Sequence, residues 1–167
     1  MKYLKKLIII QVIFLIGIIP GRSQSVESNT FDYALGIRAG ETSGITFKHN
    51  KNDVKAFEGI AGIWGNGISF TGLFEKYAPA FDIVSMRWYY GLGGHCAFRT
   101  NSYYAYGRQY ARGDDLGLGV DGVVGLEYKI PPIPFAVSLD VKPFIEVNTG
   151  GNIFLELDPG LGIKYTF

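Results

Sequence analysis

One ten-residue stretch constrains this chain more than any other: Asp158-Pro159-Gly160-Leu161-Gly162-Ile163-Lys164-Tyr165-Thr166-Phe167. Leu161, Ile163, Tyr165 and Phe167 alternate with Gly160, Gly162, Lys164 and Thr166. Successive side chains of a strand point to opposite faces, so a period of two gives one apolar face and one small or polar face. Chain termini tend to fray into water, so a soluble domain rarely ends on its most hydrophobic strand. A barrel whose last strand closes against its first has a physical reason to end there, with an aromatic residue at a membrane interface.

The first residues read as an export address. Met1 to Lys6 is short and basic, Leu7 to Ile19 is almost unbroken apolar, and Gly21 and Ser23 are small. This is the pattern of a secretory signal peptide, residues 1–23, cut near Ser23–Gln24. The run falls short of the ~20 apolar residues of a spanning helix. No cysteine stands at the cut to carry a lipid.

Without residues 1–23 the balance of 16 basic and 15 acidic residues becomes 12 and 15. That balance gives no electrostatic case for nucleic acid. The 144 residues left suit one domain. The single cysteine, Cys96, has no internal partner for a disulfide. Glycine (23 residues) and aromatics (15%) are both abundant, yet no later segment keeps a 3.6-residue apolar period or a long apolar run. Alternating strands account for this composition, because a hydropathy window averages their two faces.

After a polar, mobile lead-in over 24–32, eight strands are expected, near 33–40, 44–49, 54–64, 68–77, 84–98, 116–130, 135–147 and 153–167. Glu41-Thr42-Ser43, the polar run His49 to Asp53, Gly65-Asn66-Gly67, Ala78 to Asp82, Pro131 to Pro134 and Asn148 to Asn152 supply turns. Leu73 interrupts the alternation of the fourth strand and Pro143 that of the seventh, so each predicts a bulge or, for Pro143, an early strand end. The fold class expected is all-β, an eight-stranded antiparallel up-and-down transmembrane barrel over 33–167. With both termini in the periplasm, the longest connection, Arg99 to Asp115, lies outside the cell.

The even strand count, the long outer connection and the terminal aromatic-x-Phe of Tyr165 and Phe167 resemble the small eight-stranded bacterial outer-membrane barrels, of the OmpA transmembrane and OmpX type. The resemblance is architectural over 33–167 and specific only in the last strand. It implies an outer-membrane location and contact with outer-membrane lipid and lipopolysaccharide. It also implies that Tyr165 and Phe167 are an assembly signal read by the barrel-assembly machinery. A monomer without cofactor or metal is expected.

By parity, Arg38, Lys48, Glu58, Glu75, Arg87, His95, Asp121, Glu127, Asp140, Lys142, Glu156 and Lys164 face the lumen. Eight strands enclose a space just wide enough to be filled by side chains. Charges of both signs confined there must pair, and a polar plug is expected over an aqueous channel. His95 is the candidate catalyst, with Ser138, Asp121 and Glu127 in the same interior. Some outer-membrane barrels are lipid A deacylases or acyltransferases, and in the deacylases a His and a Ser lie together facing lipid. Here Ala97 stands two beyond His95, so that arrangement does not carry over and a hydrogen-bonded lumen histidine is expected. Gly91, Gly93 and Gly94 precede no helix, so they form no phosphate loop; they make room for bulky lumen neighbours or let the sheet coil. Cys96 points outward as a small hydrophobe.

The connection Arg99 to Asp115 carries Tyr103, Tyr104, Tyr106, Arg108, Tyr110 and Arg112. Tyrosine and arginine recur in contact hot spots, and a long structureless connection is usually functional. These six are the candidate contact residues. The function expected is a structural or surface-interacting barrel without catalysis. The alternatives are a lipid-modifying enzyme using His95, or a secreted lipocalin-like barrel holding a small apolar ligand.

Overall fold

The computed structural model describes residues 31–64, 67–99, 103–105, 108–110 and 115–167. The expected signal peptide, most of the lead-in and the tip Gly65-Asn66 lie outside the described residues. Eight long strands form the body: β1 (Tyr33–Gly40), β2 (Ser43–Asn52), β3 (Lys55–Trp64), β4 (Gly67–Pro79), β5 (Met86–Arg99), β8 (Asp115–Ile130), β9 (Phe135–Asn148) and β10 (Ile153–Thr166). Two short strands, β6 (Tyr103–Ala105) and β7 (Arg108–Tyr110), pair with each other. Each long strand pairs antiparallel with its neighbours, and β1 pairs with β10 to close the barrel. The described residues include no helix.

Closure is staggered. The register runs from Ala34 through Lys48, Glu58, Leu73, Gly93, Asp121, Phe144 and Glu156. Extended through the β10–β1 ladder, it returns to β1 about ten residues beyond its start. A stagger of that size on eight strands tilts them by roughly 40° and leaves an interior that side chains can fill.

Alternation is the rule that places every side chain. In β4, Ser69, Thr71, Leu73, Glu75 and Tyr77 are buried in the lumen and Ile68, Phe70 and Phe74 are outside. The bulge expected at Leu73 is therefore absent: its pairing with Glu58 and Gly93 is continuous. Leu73 interrupts only the polarity of the inner face, where it packs with Ile60, Tyr77, Tyr89 and Val123. Pro143 neither ends β9 nor shifts it. The β8–β9 ladder skips residues beside Pro143, which has no N–H to give, and resumes in the same register at Val124–Val141. A register shift falls instead between Asn50 and Asn52. There β2 runs on to Asn52 through what the polar composition of 49–53 marks as a turn.

The lead-in is anchored where it meets β1. Phe31 is buried with Ala34 and Ala136 at the barrel end where β1 begins and β10 ends. Asn50 fixes it by donating its side-chain amide to the Phe31 carbonyl at 2.7 Å. The β4–β5 turn at the same end has Phe81, Asp82 and Ser85 at positive φ (54°, 53° and 72°).

Candidate functional site

Two ion networks occupy the lumen. The one nearer the end where β1 begins and β10 ends is centred on Lys48, whose ammonium lies 2.9 Å from Glu58, 2.8 Å from Glu75 and 3.2 Å from Glu127. These carboxylates come from β3, β4 and β8, so one cation ties three strands to β2. Lys164 of β10 reaches Glu58 at 3.0 Å, and Arg87 of β5 reaches Glu127 at 2.8 Å. Tyr77 accepts from Lys48 and donates to Glu75 at 3.0 Å. Thr46 donates to Glu58. A buried ion is tolerated only when its charge is met and its hydrogen-bonding positions are filled. This crowding of partners meets the charge of Lys48 and fills most of those positions, with Glu75 Oε1 left without a hydrogen-bond partner among the described residues.

The second network lies nearer the loop end. Arg38 reaches Asp140 at 2.7 Å and Asp158 at 3.0 Å, and donates to the Thr42 carbonyl at 3.0 Å. Lys142 meets Asp121 at 3.0 Å. His95 stands between two carboxylates, with Nδ1 2.7 Å from Asp121 and Nε2 2.9 Å from Glu146. Only a doubly protonated ring can donate to both. Arg99 pairs with Glu146 at 2.6 Å. Tyr89 joins the networks: its hydroxyl donates to Asp140 at 2.9 Å while Lys48 lies 4.7 Å from its ring centre.

The arrangement is a filled plug. Small cavities remain in it, one of about 10 Å³ lined by Glu75, Tyr89, Ser138 and Lys142 among others, and one of about 10 Å³ beside Thr42, Ser69 and His95. Each has room for about one water. Comparison of the chain with protein-family models, curated proteins and solved structures finds no match. The chemistry is therefore read from the geometry alone.

All eleven network residues other than Glu156 singled out by parity turn inward and are joined as described. Glu156 is only half-buried, on the inner face near the start of β10. Three network members escape the sequence pattern: Arg99, Glu146 and Asp158, all buried. Arg99 is the last residue of β5, and its place beside a long polar connection disguises it as loop. Ser138 does not join His95. It lines the other cavity, with Gly162 and Lys164. Both ring nitrogens of His95 face carboxylates, not a hydroxyl, which is not the arrangement of a base activating a nucleophile.

The glycines of β5 make room for backbone. A Cβ on Gly91 would lie 2.2 Å from the Phe74 carbonyl oxygen, and one on Gly93 would lie 1.9 Å from that of Gly72. The expectation of bulky lumen neighbours is corrected accordingly: the β4 backbone is what comes close. Cys96 is partly buried.

Of the six candidate contact residues, Tyr103, Tyr104, Arg108 and Tyr110 sit on the β6–β7 hairpin, in register Tyr103–Tyr110 and Tyr104–Gln109. Tyr106 and Arg112 lie outside the described residues. Tyr165 and Phe167, the expected assembly signal, belong to an outward aromatic row with Tyr33 and Phe135. Tyr33 and Phe167 stack at 5.8 Å, and Phe135 meets Tyr165 edge-on at 5.5 Å.

Proposed function

We propose that this chain is an integral outer-membrane β-barrel of the small eight-stranded type, with a structural or surface-interacting role and a plugged lumen. One observation carries the reading: the polarity of the barrel is inverted relative to a protein dissolved in water. Leu92 and Ile153 are each 72% exposed on the outer wall, whereas Lys48, Glu75 and Asp121 are 0% exposed inside it. Isoleucine, leucine, valine and phenylalanine line the outside of strand after strand. Soluble proteins rarely expose contiguous apolar patches of more than a few hundred Å². Hydrocarbon rewards such a wall, and a closed ladder leaves no unpaired backbone edge in it. A lipocalin-like barrel would reverse the two faces and keep an apolar cavity for its ligand.

The non-catalytic part of the proposal rests on His95 being held on both sides by carboxylates. The resemblance to the OmpA and OmpX type adds the outer membrane as the location, with lipid, lipopolysaccharide and the assembly machinery as partners. The test is refolding of residues 24–167 from urea. Folding that requires detergent or lipid, with a heat-dependent change of gel mobility and recovery in outer-membrane fractions of cells, supports the reading. A monodisperse folded chain in plain buffer overturns it.

A further inference from the structure

At the end of the barrel where β1 begins and β10 ends, the outward positions are aromatic on most strands: Tyr33 on β1, Trp88 on β5, Tyr128 on β8, Phe135 on β9 and Tyr165 on β10. On β2 the row continues through His49, which is registered with Tyr33 and stacks on it at 4.7 Å. Beyond it, toward the ends of β2 and β4 and the start of β3, the outward positions carry Lys51, Lys55 and Lys76, all exposed. Lys55 and Lys76 stand directly opposite each other in register, an arrangement that costs stability unless an anion lies between them. Among the described residues neither side chain has a carboxylate at ion-pair distance. Lys76 is also registered with Tyr90, whose ring is exposed. The next outward pair up the same ladder is Phe57 with Phe74, both exposed.

We propose that Lys51, Lys55, Lys76 and the Tyr90 hydroxyl bind the phosphate of a phospholipid headgroup at the membrane interface. Ammonium groups bind phosphate oxygens as compact point charges, and lysine stems lie along apolar surface while their heads stay at the interface. The Phe57–Phe74 pair places an acyl-chain contact directly beside the cations. Inorganic phosphate has no use for that contact, so the observations favour a lipid over a free anion. The proposal rests on the membrane-barrel reading.

The test uses residues 24–167 refolded in a nonionic, phosphate-free detergent and followed by the NMR shifts of the lysine ammonium and Tyr90 signals. Dihexanoylphosphatidylglycerol should give saturable shifts at residues 51, 55, 76 and 90. Inorganic phosphate should bind about tenfold more weakly or less, and dihexanoylglycerol, lacking the phosphate, should leave the lysines unmoved. K55Q/K76Q should fold and lose about tenfold in affinity, which removal of two charge-assisted contacts implies. Unchanged affinity in K55Q/K76Q, equal binding of inorganic phosphate, or no saturation in detergent-dependent folded protein overturns the site alone. Folding without detergent overturns the membrane reading, and the site with it.

Discussion

Arg99 and Glu146 face each other across the lumen through two parallel bonds, Nη1 to Oε1 at 2.7 Å and Nη2 to Oε2 at 2.6 Å. They belong to β5 and β9, which are separated by β8. The pair reaches past β8 because β8 offers no side chain there. A Cβ on Gly117 would lie 2.4 Å from the Glu146 carboxylate, and one on Gly119 would lie 2.3 Å from the His95 ring. The fork of the guanidinium matches the carboxylate geometry, which one ammonium cannot do.

Removing both partners of this pair together should cost less than the sum of removing each alone. Arg99→Met leaves Glu146 buried with only His95 to meet it, and loss of one partner of a buried pair typically costs about 3–5 kcal/mol. The double variant R99M/E146Q, with no carboxylate left at 146, should lose less than the sum of its single variants. Urea unfolding in lipid vesicles measures both. Strict additivity would show that the two residues do not act as a unit.

The β8 glycines give a sharper contrast. A Cβ at Gly119 would lie 2.3 Å from the His95 ring and 2.8 Å from the Ile145 carbonyl oxygen, so Gly119→Ala must displace both, an overpacking of the kind that costs about 1–3 kcal/mol. Gly122→Ala, three residues away on the same strand, meets the Pro143 ring carbon at 3.3 Å and should cost less than Gly119→Ala. Equal losses at the two positions would mean that intrinsic strand preference decides, not the close contacts at Gly119.

The strands and their inner and outer faces were legible in the sequence because a closed barrel couples parity directly to polarity. The exceptions mark where that coupling weakens. Leu73, Ile60 and Val123 turn inward because eight tilted strands must fill their lumen with volume as well as charge. Asp158 lies on the inner face of β10, two residues before the alternation of Gly160 to Phe167 begins, so the clean period does not reach it. Phe31 closes one end of the lumen from outside any strand, where no period announces it. The pairing of Lys48 with three glutamates, and of His95 with two acids, depends on the stagger around the barrel, which no single strand encodes.

Glu41, in the short connection between β1 and β2, is pushed above its ordinary value of 4.5 by burial, with Asp158 and Glu156 adding to the shift. A group whose folded value is raised supports the fold fully below its ordinary value and loses that support as pH rises through the folded value. Glu41→Gln should therefore raise stability slightly at pH 7 and leave it unchanged near pH 4. A carboxyl resonance of Glu41 titrating at or below 4.5 would remove the basis for this.

The connection after β5 should be dispensable for folding and carry whatever recognition the protein performs. The β5–β8 ladder is complete to its last pair, Arg99 with Asp115. The β6–β7 hairpin forms a separate two-stranded sheet, so its ladder contributes no bond to the barrel. Joining Arg99 to Asp115 through Asn-Gly supplies the two-residue turn that suits registered antiparallel partners. The shortened chain should keep its heat-dependent gel mobility, and its unfolding midpoint should change little, since such surface changes usually fall within about 0.5 kcal/mol. Protease added to intact cells should cut the full chain near Arg108 or Arg112 and spare the shortened one. Any surface binding that the full chain shows, measured with purified barrels in lipid discs, should vanish in the shortened one. Retained binding, or protection of the loop in intact cells, would relocate the contact surface to the opposite end of the barrel.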